Sequence, residues 1–335
     1  MSIDQKQSTP KKIILVNFED IHCIIFHILC LATYGCSFWL YLHPELSHID
    51  SLGSRLAFEA ASALLLGWIT GVNVGVNFHN HAHQKFFRAA WLNRWITRLW
   101  TFSGGWPGFF WEYNHLMIHH PNVMASEDWT APRYRPSGGF ENIYRFCFAH
   151  WPYRYIVHLW QEFRQGGKGK YTTDAATKEL MIFVCLWSIP FFIDLKMALG
   201  LWVLPQYIAN VVIMGPGMYA QHIGCIEPSS EKPFRHSVTF VSQFFNLTMF
   251  NIGYHIEHHS NPAIHWSELP KVHQRLKSEL INHQAHIVPF GLYHWGIRLL
   301  LEPERSALCK GKFAAAQHPN YRFTCPQLAN PPVIK

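Results

Sequence analysis

Residues 55–83 read RLAFEAASALLLGWITGVNVGVNFHNHAH. The stretch 55–78 is long and apolar enough to cross about 30 Å of hydrocarbon as a helix. It is rich in small residues and carries Glu59 near one end. His79, His81 and His83 then follow without a break. An apolar span that runs straight into three imidazoles raises two questions: how many other spans the chain holds, and how many other histidines share that face of the membrane.

Three more apolar segments answer the first question: 21–42, 179–193 and 197–220. Only Asp194, Leu195 and Lys196 separate the last two, which leaves room for nothing but a tight turn. Pro190 interrupts the short third segment and predicts a tilt or a kink there. The expected fold is therefore all-α, an integral membrane bundle of four transmembrane helices in two hairpins. A cytosolic helical cap, 79–178 and 221–335, completes a single domain over 1–335. Buried helices of a soluble protein are the alternative, and segment length weighs against it.

Composition points the same way. Of 335 residues, 49% are hydrophobic, 16% aromatic and only 15% charged, against about 25% charged in ordinary soluble domains. The net charge is +7, yet no compact Lys/Arg run appears, which argues against nucleic acid. The basic residues gather at the N-terminus, in 79–178 and in 221–335, while the link 43–54 holds none. The positive-inside tendency places both termini and the cap in the cytoplasm. The stretches 95–111 and 148–163 are aromatic, amphipathic and broken by Gly or Pro, as helices lying in the bilayer interface would be. Eight scattered cysteines without a Cys-x-x-Cys pair read as reduced. The first twenty residues lack a signal-peptide pattern, so the first apolar segment is expected to act as an uncleaved anchor.

Histidine is the compositional outlier, at 23 residues. After His79, His81 and His83 comes HLMIHH with His115, His119 and His120; His222 closes the fourth span; and NIGYHIEHH carries His255, His258 and His259. On a helix, residues four apart share a face, so His79 and His83, or His115 and His119, can converge on one ion. Adjacent histidines such as 119/120 and 258/259 diverge by about 100° and can face different ions. Structural zinc closes with four ligands, so a cluster this large points to two metals, and imidazole suits Fe, Cu and Zn alike. His22, His27, His43 and His48 read as interfacial. His236, His265 and His273 are outlying candidates for the site. A metal transporter or storage protein would need ligands lining a path through the spans, where only His22 and His27 occur.

The pattern H-x-x-x-H, H-x-x-x-H-H and H-x-x-H-H, the last preceded by NIGY, resembles the integral-membrane fatty acid desaturase superfamily from about residue 55 to 280. That group also includes alkyl hydroxylases, carotenoid ketolases and alkene-forming oxidative decarboxylases. The resemblance implies two non-haem iron ions, O2 as co-substrate, external electrons from a ferredoxin or cytochrome, and a fatty acid or acyl lipid that is desaturated. It assigns His79, His83, His115, His119, His120, His222, His255, His258 and His259 as metal ligands. Three departures are visible. His81 adds a rival within the first box, and the middle box is one residue wider than H-x-x-H-H. Met218 stands where some relatives place an Asn that holds a metal-bound water, leaving Asn251 as a substitute. Ligating histidines need their second nitrogen anchored. Glu112 and Glu257 are the first candidates for that catalytic support, Asp128 and Glu268 the weaker ones. Arg88, Arg94, Arg98, Arg133, Arg135 and Arg154 offer a surface for an acidic donor protein, an anionic head group or anionic lipid. Trp and Phe of 95–111 and 240–250 are candidate tunnel walls.

Overall fold

The computed structural model describes residues 14–47, 49, 51–132 and 141–301; Arg133, Arg135 and His48 lie outside them. The first two long helices are α1 (Asp20–Leu42) and α2 (Leu52–His83). Next come α3 (Ala90–Phe102), α4 (108–119) and α5 (143–164). The second long pair is α6 (Thr173–Ile193) and α7 (Leu195–His222). Four short or mid-length helices follow: α8 (Gln243–Thr248), α9 (His255–Ser260), α10 (Leu269–Asn282) and α11 (Leu292–Leu301). Two two-stranded sheets depart from a purely helical fold. Strands β1 (Gly167–Lys168) and β2 (Tyr171–Thr172) pair antiparallel, and β3 (Val238–Phe240) and β4 (His286–Val288) pair parallel.

Among the described residues α1, α2, α6 and α7 are the four helices long and apolar enough to cross a membrane. Each is longer than its apolar segment, and in α2, α6 and α7 a local side-chain cap starts the helix early. In α2 a capping box does this: the Ser54 N–H donates to Ser51 Oγ at 3.0 Å, and the Ser51 N–H to Ser54 Oγ at 3.2 Å. In α6 the Thr172 hydroxyl caps the start by accepting from the Ala175 N–H. Pro190 breaks α6 as expected, through an irregular residue at Ser188.

The tightest helix pair is α2 on α7. Gly67, Gly71 and Gly75 recur at four-residue spacing and so form one bare stripe. A Cβ at Gly67 would stand 2.5 Å from Ile208 Cγ2, and one at Gly71 only 2.7 Å from Ile213 Cγ2. Without a hydrophobic drive inside lipid, such close backbone approach is what lets two spans associate. Helix α1 packs beside α2 and brings a polar group with it. His27, expected at the interface, is instead buried in α1, where its Nδ1 accepts from Asn73 Nδ2 at 3.1 Å and its ring stacks on Trp100 at 4.7 Å. Helices α3 and α5 each leave an aromatic stripe exposed: Trp91, Trp95 and Leu99 on one, Tyr153, Ile156 and Trp160 on the other. Their opposite faces bury Trp100 and Thr101, and Tyr155, Leu159 and Phe163. This is the amphipathic pattern of helices that lie along an interface.

Gly71→Ala should cost roughly 1–3 kcal/mol, the usual penalty for overpacking a filled contact. Gly35→Ala on α1 is the control, since no atom lies within 4 Å of the added carbon. Denaturation of both variants in the same micelles checks the difference.

Candidate metal centre

Nine histidines meet at one end of the α2–α7 pair, in two groups. The first holds His79, His83, His115, His120 and His258; the second holds His119, His222, His255 and His259. Within each group the candidate ligand atoms all lie within 4.8 Å of one another. In the first, Nε2 atoms stand 3.0 Å apart between His83 and His115, 3.1 Å between His115 and His120, and 3.2 Å between His120 and His258. In the second, the Nε2 atoms of His222 and His255 are 3.1 Å apart. The groups adjoin where His120 stacks on His259 at 4.2 Å.

Helical pitch decides which histidine joins which group. His79 and His83 sit four apart on the α-helical end of α2, and His255 and His259 four apart on α9, so each pair shares a group. The adjacent pairs 119/120 and 258/259 split between groups. His115 and His119, expected to converge, do not. Residues Asn114–His119 form a π-helical turn whose bond runs from the His120 N–H to the His115 carbonyl at 3.1 Å. That i→i+5 register brings His115 over His120 and sends His119 to the other group. Just ahead of α9, Phe250 and Asn251 take left-handed backbone at φ 49° and 60°. Gly253 follows because a Cβ there would meet Asn246 Oδ1 at 2.4 Å and the Phe240 carbonyl at 2.6 Å.

His81 belongs to neither group. It is buried against Trp100, and its Nδ1 accepts from the Phe86 N–H at 3.4 Å. Asn251 is also elsewhere, donating through Nδ2 to the Trp266 carbonyl. His265 pairs with Asp20 at 2.9 Å, tying the start of α1 to the turn before α10. His273 is bound by Glu257. His236 does adjoin, with its ring 5.6 Å from that of His259.

Two of the second nitrogens are held by firm partners, though not by the carboxylates expected first. The His119 Nδ1–H donates to Asp128 Oδ2 at 2.9 Å, and the His222 Nδ1–H donates to the His236 carbonyl at 3.1 Å. Asp128 is itself braced by the Thr130 hydroxyl at 2.7 Å. Glu112 makes no hydrogen bond to a histidine among the described residues. Its carboxylate takes Lys85 Nζ at 2.5 Å and the Tyr171 hydroxyl at 3.3 Å, partners that no local motif announces. Glu257 is fully buried and accepts from His273 Nδ1 at 2.5 Å and Thr239 Oγ1 at 2.7 Å, so it clamps α9 between α10 and β3. Glu268 is half-buried and pairs with Lys271. Two of the surface arginines are likewise committed: Arg98 grips Glu179 and Arg154 grips Glu141, each through two hydrogen bonds.

The donor set fits two cations. Two nitrogens at about 2.1 Å from one ion and at right angles lie about 3 Å apart, the spacing found here. Burial, reinforced by neighbouring imidazoles, holds His115, His120, His255, His258 and His259 well below the ordinary imidazole pKa, so their lone pairs are free near neutrality. Nε2 of His79 and His119 and both nitrogens of His259 are buried with no hydrogen-bond partner among the described residues. An ion shared by each group would take one nitrogen of each of these rings.

A cavity reaches this centre from between the spans. Gly71, Gly75 and Gly217 leave it room, Ile213, Met214 and Met249 line it, and His79, His115, His119 and His255 close it. It therefore touches both histidine groups.

Asp128→Asn should weaken metal retention about 10- to 100-fold, the usual cost of removing a histidine's outer partner. Glu112→Gln should leave retention unchanged. Metal content of both proteins after dialysis against graded chelator checks the contrast.

Comparison with known proteins places this arrangement. The fatty acid desaturase family model matches residues 56–291. Alkane 1-monooxygenase of Ectopseudomonas oleovorans is 25% identical over 230 residues, covering 62% of this chain and 51% of that protein. Alkane 1-monooxygenase 1 of Alcanivorax borkumensis gives the same identity and coverage. The chain thus spans about half the length of each relative. With the matched region running from the second span through all the histidine groups, the chain belongs to the fatty acid desaturase family.

Proposed function

We propose that this chain is a membrane-bound non-haem diiron oxidoreductase that uses O2 and externally supplied electrons to desaturate a fatty acyl chain. The observation that carries the reading is the apolar cavity that ends on both histidine groups. A flexible alkyl chain is the ligand such a slot suits, since apolar walls hold it by exclusion of water.

Iron held by His79, His83, His115, His120 and His258, and by His119, His222, His255 and His259, supplies when bound the power to break an unactivated C–H bond, which side chains lack. The protein's own contribution is positional. Asp128 and the His236 carbonyl fix which ring nitrogen of His119 and His222 faces the ion. The Glu257 clamp keeps α9 at its depth, and Trp111, stacked on His115 at 4.4 Å, walls the cavity where it meets the first group.

The distribution of Lys and Arg supports a cytoplasmic position for both termini and the metal centre, with 1–335 acting as one domain. Electrons come from a ferredoxin or cytochrome that docks on this basic face. A second reading, hydroxylation, is favoured by one finding: both relatives are alkane monooxygenases. The two reactions break the same kind of bond and differ in whether a second hydrogen leaves or oxygen enters.

Mass spectrometry of lipids from cells expressing the wild type, His258→Ala and His259→Ala tests the proposal. A product lighter by two hydrogens should appear with the wild type and vanish in both variants, which strike different histidine groups. Each purified variant should keep about half the wild-type iron, because each removes one site's ligand. A product heavier by one oxygen establishes hydroxylation; unchanged lipids in all three strains would sink the oxidoreductase reading. Gly217→Phe fills the cavity and should cut activity on the longest accepted chains while sparing shorter ones, as a chain-length series will show.

A further inference from the structure

The cavity is not uniformly apolar. Trp151 and Tyr155, one turn apart on α5, both line it and are only 6% and 3% exposed. Trp151 Nε1 and the Tyr155 hydroxyl are buried with no hydrogen-bond partner among the described residues. Asn114 lines the same cavity, and its Oδ1 is in the same condition. Buried polar groups are rarely left this way, because each then forfeits its hydration without replacement. Three such groups on one cavity wall point to a ligand that completes them.

The chemistry of the donors narrows that ligand. An indole N–H only donates, and a phenol donates well, so these two need an oxygen acceptor, while Asn114 Oδ1 needs a donor, which a hydroxyl also brings. No Lys or Arg among the described residues lines the cavity, and burying an ionised carboxylate against neutral donors is costly. A bare hydrocarbon would leave both donors unpaired. We infer that Trp151 and Tyr155 form a subsite for an uncharged oxygen function on the substrate chain, a hydroxyl or a carbonyl, held inside the same cavity that meets the metal centre. The inference rests on the cavity being the alkyl-chain site proposed above, and it names the group that sets which chains enter productively. Tyr155 is fixed for this role by its neighbours. Its ring lies 4.7 Å from that of Trp106, 5.7 Å from Trp129 and 6.0 Å from Trp151.

Equilibrium binding separates the possibilities without any turnover. The full chain, purified with its metal and embedded in nanodiscs, is titrated with isotope-labelled tetradecane, tetradecanol, methyl tetradecanoate and tetradecanoic acid, with empty discs subtracted. The readout is each ligand's affinity relative to tetradecane, compared between wild type and variant, so that each ligand's partition into the same lipid cancels. Tetradecanol and the ester should lose about fivefold of their advantage in Tyr155→Phe, and about as much in Trp151→Phe, the worth of one ordinary hydrogen bond. Tetradecane binding should stay the same in Tyr155→Phe, whose ring is intact. A relative affinity that neither variant changes overturns the subsite. So does tighter binding of the ionised acid than of its methyl ester. If the wild type binds none of the four chains, the alkyl-cavity reading itself fails, and the subsite with it.

Discussion

Nine imidazoles, six buried and three partly buried, lie within reach of one another and impose the condition that the rest of the molecule satisfies. Each ring loses water on burial, and several Nε2 atoms stand 3.0–3.2 Å apart with no carbonyl or carboxylate between them. Neutral imidazoles at that spacing pair only where one ring donates to the next, whereas rings whose Nδ1–H is already committed, such as His119 and His222, turn a lone pair inward and suit a cation. Binding energy of this kind is also folding energy, because the unfolded chain has no such site. Helices α4 and α9 and the ends of α2 and α7 are therefore held to a common geometry by the centre they build, as well as by their own packing.

Two devices deliver the rings to that geometry. The glycine stripe of α2 lets α7 approach until the last residues of the two spans, His83 and His222, sit beside the same cluster. Helical pitch then sorts the rings. An α-helical turn aligns residues four apart, and the π-helical turn Asn114–His119 aligns residues five apart. A histidine pair at consecutive positions thus reaches both groups from one short helix, which happens twice, at 119/120 and 258/259. The extra residue of the middle box is what the π-turn accommodates.

The spans and the histidines were legible in the sequence because both are local signals: an unbroken apolar run, and an uncommon residue type repeated at short spacing. The positions of α1, α2, α6 and α7 differ from the hydropathy reading only at their ends, where Ser51 and Thr172 cap helices beyond the apolar stretch. What stayed hidden depends on contacts between distant segments. Glu112 and Asp128 look alike as acids near a histidine box, yet one is drawn to Lys85 and Tyr171 while the other reaches His119. The support of His222 is a backbone carbonyl, which leaves no trace in residue type. The split of His115 from His119 turns on a helical register that spacing alone does not reveal, and His27 reads as interfacial until Asn73 and Trp100 are seen around it.

The same missing side chains serve packing and access. Gly71 and Gly75 belong to the stripe that joins α2 to α7, and both also line the cavity. A larger residue there would meet Ile213 or Met214 on one side and intrude on the slot on the other. Ordinary core optimisation, which fills gaps to gain stability, is consequently barred along this seam. The compensation lies at the centre itself, where ion binding by nine histidines can tie the spans together without occupying the space between them. That arrangement also accounts for the wall's few polar atoms. In such a slot, an unpartnered N–H or O–H is favoured only if whatever enters brings it an acceptor. The occupant's chemistry is then written into the cavity wall as much as into the histidine groups.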